Sequence, residues 1–153
     1  AKAWQKAIDD FQQANQIEPD LYGELRQRLA DAYRELGLEH AEFWRLEEAE
    51  ESLKEALVHD RWNAENHEAF GRVYLKWSKW EEATDYFIRA IQLDPENFFW
   101  LRRKLSLAYF RWALDQQQAG QATEAKDHFK KARQWGFPLP EQPARPVSST
   151  GTS

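Results

Sequence analysis

At 153 residues, with 42% hydrophobic and 14% aromatic content, the chain has room for one domain with a real core. A net charge of −5 without a run of one sign makes no case for nucleic acid, and no apolar run approaches the ~18 residues of a membrane span. The absence of cysteine excludes disulfides, thiolate metal sites and cysteine nucleophiles. Ala1-Lys2 opens no signal peptide, and the chain begins inside a helical pattern without an initiating Met, as a fragment of something larger would. Compartment is not assigned by composition; the cytoplasm is the default expectation.

Taken in order, residues 1–17 place Trp4, Ala7, Ile8, Phe11 and Ala14 on one helical face. A long helical pattern runs from Asp20 to Asp60. It carries Leu29, Ala30 and Tyr33 in its first half and Ala49, Leu53 and Ala56 in its second. Gly37 and Trp44-Arg45 are the two candidates for its break. The second is favoured, because Leu46, Glu47, Glu48 and Ala49 copy Trp80, Glu81, Glu82 and Ala83. Residues 64–97 form the cleanest unit, two amphipathic helices and a tight turn. Its contact positions are Phe70, Gly71 and Tyr74, then Ala83, Phe87 and Ala90, with Pro95 closing it. Residues 95–110 then match 19–34 at an offset of 76, and Ala125, Phe129 and Ala132 follow after a turn at Gly120. Trp135, Gly136, Phe137 and Pro138 are expected to fold back over the last helix, and 139–153 reads as a disordered tail or linker.

The order large-Gly-x-x-Tyr, Ala, Phe, Ala and Asp-Pro in residues 64–97 resembles a tetratricopeptide repeat. Ala7, Phe11, Ala14 and Pro19 repeat Ala83, Phe87, Ala90 and Pro95, so residues 1–21 read as the second half of a repeat. Units at 22–63, 64–97 and 98–138 complete a repeat domain over 1–138, with second-helix alanines spaced 42, 34 and 42. The resemblance implies an all-α, right-handed superhelical array of about seven helices. Such helices cannot bury their apolar stripes alone and stack to do so.

Catalysis is not expected. His40, His59, His67 and His128 lack metal-ligand spacing, and the serines lack a strand-to-helix elbow. The paired glutamates sit in first turns of helices, where they complement the dipole. No metal or cofactor is expected. The resemblance instead implies a protein-interaction module or scaffold binding a peptide in a concave groove lined by the first helices. Residues offset from the packing positions would line it: Arg28 and Arg34, then Arg72 and Lys76, then Trp100, Arg103, Lys104, Leu107, Phe110 and Arg111. With Glu24, Asp31, Glu35, Glu65 and Glu68 on the same faces, seven cations meet five acids, and the last repeat has no acid. The expected partner is therefore a protein or peptide with acidic side chains and a large apolar anchor. Asn15, Asn63, Asn66 and Asn97 fall outside this groove list, which argues against the lysine–asparagine clamp and the asparagine ladder of two groups of relatives. The alternatives are self-association through Trp4, Ile8 and Phe11, giving a homo-oligomer, and a regulatory domain cut from a larger enzyme. The 42-residue units should make their helices project beyond the central pair, leaving a recess beside Arg72 and Lys76.

Overall fold

The computed structural model describes residues 2–136. Seven α-helices form, with no strand among the described residues. They are α1 (Lys2–Ile17), α2 (Tyr22–Glu42), α3 (Leu46–His59), α4 (Ala64–Lys76), α5 (Trp80–Leu93), α6 (Leu101–Gln118) and α7 (Ala122–Gln134), with a 3₁₀ turn at Pro19–Leu21 before α2. α2 pairs with α3, α4 with α5 and α6 with α7; each pair packs on the next, and α1 packs on α2. The fold is an all-α array of packed helix–turn–helix pairs.

The core follows the apolar stripes. Leu53, Phe70, Phe87, Leu101 and Leu105 are fully buried along the main cluster, and Ile8, Leu29, Ala32 and Leu36 form a second one between α1 and α2. Two glycines let paired helices touch backbone to side chain. A Cβ added at Gly71 would lie 2.5 Å from the Phe87 ring, and one at Gly37 would lie 2.8 Å from Leu53 Cγ. Both contacts link residues 16 apart, and the two glycines are 34 apart.

This pairing corrects the frame expected for the first long unit. The counterparts of Phe70, Gly71 and Tyr74 on α2 are Leu36, Gly37 and His40, at an offset of 34, not Leu29, Ala30 and Tyr33. Gly37 does not break the helix; it is buried within it. The break falls at Phe43–Arg45, and the three turns inside the helix pairs share one geometry. Trp44 (φ 60°), Ser78 (φ 59°) and Gly120 (φ 79°) each adopt the left-handed conformation. The next residue donates back to the helix it leaves: Arg45 N to His40 O, Lys79 N to Tyr74 O and Gln121 N to Gln116 O, at 3.0, 3.0 and 2.9 Å.

The second helices α3, α5 and α7 are nearly equal at 14, 14 and 13 residues, whereas α2, α4 and α6 run 21, 13 and 18. Counted from the turns, the added residues of α2 and α6 lie at their N-termini. α4 starts late because only residues 60–63 separate it from α3, and Asn63 sets its first turn. Its side chain accepts from Glu65 N at 2.8 Å and Asn66 N at 3.4 Å, a cap that begins a helix. The equivalent positions hold Leu29 and Leu105, both buried mid-helix. Trp135 and Gly136 end α7 in a turn, while Phe137, Pro138 and 139–153 lie outside the described residues.

Candidate functional site

Where α4 starts late, the N-terminal halves of α2 and α6 stand on either side of its first turns. The recess between them is a cleft of about 1050 Å³. Its walls are α2 from Gln27 to Leu38, α4 and its cap from Trp62 to Arg72, the end of α5 with its following loop, and Trp100 and Lys104.

Two ion-pair networks hold these walls. Arg34 crosses from α2 to α4: its guanidinium meets Asp31 at 2.7 Å, Glu65 at 3.1 Å, Glu35 at 3.5 Å and the Asn66 side-chain oxygen at 3.3 Å. Asn66 is fully buried and donates its amide to the Asp60 carbonyl at 2.9 Å, so the network also pins the loop before α4. Glu68, itself buried, joins α4 to α6 through Lys104 at 3.4 Å and meets Arg72 at 3.8 Å. Lys104 also lies 4.8 Å from the centre of the Trp100 ring. Trp62 and Trp100 remain 59% and 48% exposed at the cleft. Asp94 is bonded to Asn97 at the end of α5.

Of the ten residues expected in the groove, the structure gathers four at this cleft: Arg34, Arg72, Trp100 and Lys104. Arg28 on α2, with Arg103 and Arg111 on α6, is exposed and does not line it. Lys76 is engaged elsewhere: its ammonium donates to the Ala41 carbonyl at the end of α2 and sits 4.3 Å over the Trp44 ring. Phe110 packs on Phe129 of α7 at 5.7 Å between ring centres, and Leu107 is half-buried outside the cleft. The cleft therefore gathers only part of the expected basic set. The cleft is lined by five acids (Asp31, Glu35, Glu65, Glu68, Asp94) and three cations (Arg34, Arg72, Lys104), a net charge of −2.

Two causes separate the remaining expected residues from the cleft. Arg28 and Arg103 adjoin the lining residues Gln27 and Lys104 and lie ~100° away round their helices, so they differ in face; Lys76, Leu107, Phe110 and Arg111 lie beyond Arg72 and Lys104, ~4.5 Å or more further along theirs. Asn63 and Asn97 also line the cleft, reaching it from the cap of α4 and the loop after α5 and not from a helix face, with side chains already bonded to Glu65 N and Asp94. Trp62, Leu38 and Phe98 were also missed as lining residues. The sequence signal for the recess was the 42, 34 and 42 spacing of the second-helix alanines, and Asn63 marks where the short unit's first helix begins.

The self-association face is also reduced. Ile8 is 1% exposed because it packs on Leu29, Ala32 and Leu36 of α2, and Phe11 is half-buried in the same cluster. Trp4 alone of the three is exposed. Among the described residues no group of His, Asp or Glu is arranged to hold a metal ion, and no helix is long and apolar enough to cross a membrane.

No protein-family model and no curated protein matches the chain. Solved structures do resemble it. One, from a functional characterization of PilF of Pseudomonas aeruginosa, shares 22% identity over 88% of this chain and 55% of that one, with a TM-score of 0.45. The crystal structure of MamA shares 23% identity over 86% of this chain and 88% of its own, also at 0.45. The chain thus spans about half the length of the PilF chain. At that identity and score the likeness is confined to the backbone course and says nothing of what this chain binds.

Proposed function

We propose that the chain is a protein-interaction module that holds a peptide segment of a partner in the cleft between α2, α4 and α6. One observation carries this reading: Trp62 and Trp100 stand half-exposed on a concave surface whose walls are already braced by Arg34 and Glu68. Large aromatic rings are costly to leave in water, and they anchor interfaces when a partner covers them. The braced walls lower the ordering cost of binding.

The test is selection of random dodecapeptides on the immobilised chain, followed by affinity measurement with synthetic peptides. Trp62→Ala and Trp100→Ala, both at exposed positions, should each lower affinity about tenfold or more while leaving helical content unchanged. Peptides that bind both variants as well as the unaltered chain would refute the cleft as the site.

A further inference from the structure

The charge of the cleft is unevenly placed. At the α6 end, Arg72 and Lys104 balance Glu68 and Asp94, so that end is neutral. At the α2 end, among the residues that line the cleft, Asp31, Glu35 and Glu65 surround one cation, Arg34, and the lining's excess of −2 lies there. Arg34 meets one oxygen of each carboxylate and is 12% exposed, whereas the three carboxylates keep 44%, 40% and 59% of their side-chain surface in water. One carboxylate would suffice to hold a guanidinium. Three leave like charges facing one another, which is unfavourable in the free chain and relieved when a second cation arrives. Trp62, just before the Asn63 cap, flanks this end of the same cleft; Arg61 and Arg89 lie 4.9 and 5.3 Å from its ring but are not among the residues lining the cleft.

Resting on the cleft as the binding site, we infer that its occupant is a basic peptide segment. A Lys or Arg side chain of that segment is received by Asp31, Glu35 and Glu65 beside Trp62, and an apolar side chain lies toward Trp100 and Phe98 at the neutral end. Charge complementarity fixes the sign, and the separation of the acidic end from the neutral end fixes the order of the two anchors.

The same peptide selection reads this out. Peptides enriched on the chain should carry excess Lys or Arg paired with an aromatic or aliphatic residue at a constant spacing, and their affinity should fall as salt is raised. Glu35→Gln combined with Glu65→Gln should weaken a selected peptide about tenfold. Glu51→Gln combined with Glu55→Gln, an equal charge change on α3 outside the cleft, should leave it unchanged. Peptides that lose affinity with Trp62→Ala and Trp100→Ala but are acidic or uncharged would overturn the basic occupant and leave the cleft standing. Basic peptides weakened equally by both glutamine pairs would also overturn it, since long-range attraction would then suffice. Peptides indifferent to the tryptophan variants would remove the cleft itself.

Discussion

Gly71→Ala tests the packing on which the whole array depends. The new methyl carbon would stand 2.5 Å from Phe87 Cδ1 and Cε1 and 3.0 Å from Cγ. Ordinary carbon contacts lie at ~3.5–4.0 Å, so the ring must retreat by roughly 1 Å or the helices must separate. Phe87 is fully buried in the main core, so it has nowhere open to go. Overpacking of this kind costs about 1–3 kcal/mol, and the close distance argues for the upper part of that range. Replacing a mid-helix Gly with Ala returns up to ~1 kcal/mol of helix propensity. The net expectation is a loss of about 1–2 kcal/mol, read as a lower urea midpoint at unchanged slope. Gly23→Ala is the control, because a Cβ there meets nothing within 4 Å, and it should be neutral or stabilising. Phe87→Leu should cost less in the Gly71→Ala background than alone, with a coupling of about 1 kcal/mol. A Gly71→Ala protein as stable as the unaltered chain would refute the close approach of α4 and α5.

The shared turn geometry predicts opposite effects at equivalent positions. Ser78→Gly relieves a left-handed L-residue worth ~1–2 kcal/mol, less the ~0.5–1 kcal/mol entropy cost of Gly, and should raise stability slightly; Gly120→Ala should lower it by about 1 kcal/mol, both by urea unfolding. A change of the same sign at both would sink the common frame. Asn63→Ala removes the cap of α4 and should cost about 1 kcal/mol, with faster amide exchange at Glu65 and Asn66; unchanged exchange there would contradict the cap. Burial holds the pKa of His59, His67 and His128 below the ordinary 6.5. The unfolded chain therefore binds protons first as pH falls through 6.5, and unfolding free energy should decline from that pH downward; a flat profile between neutral pH and the carboxylate range would refute it.

Much of the fold was legible because the second helices repeat a compact signature. Ala49, Ala83 and Ala125 are all buried at the expected contacts, and Gly71 meets the neighbour that the Phe-Gly pair implied. The first helices were misread by two turns. Leu29, Ala30 and Tyr33 repeat the large-small-x-x-ring order of Leu36, Gly37 and His40 at the same spacing, and periodicity cannot separate two sets seven residues apart on one face. Only the tertiary contact of Gly37 with Leu53 decides between them. Charge was less legible still. Arg34 reads as a groove cation in the sequence, but its partner Glu65 is 31 residues away, and the pairing exists only once α2 and α4 pack.

The recess and its charge have a common origin in the short link that leads into α4. Only 34 residues separate the turn at Trp44 from that at Ser78, against 42 from Ser78 to Gly120, so α4 has no residues with which to extend as α6 does, and Asn63 caps it where it begins. The late start opens the cleft and also exposes the first-turn acid Glu65, which the dipole of α4 favours and which reaches Arg34 across the gap. The same loop places Trp62 at the edge, because the chain must cross from α3 to the cap in the four residues 60–63. The shortness of the central helix pair is therefore a cause of the site. A longer α4 would remove the cavity, the acidic end and the exposed ring together.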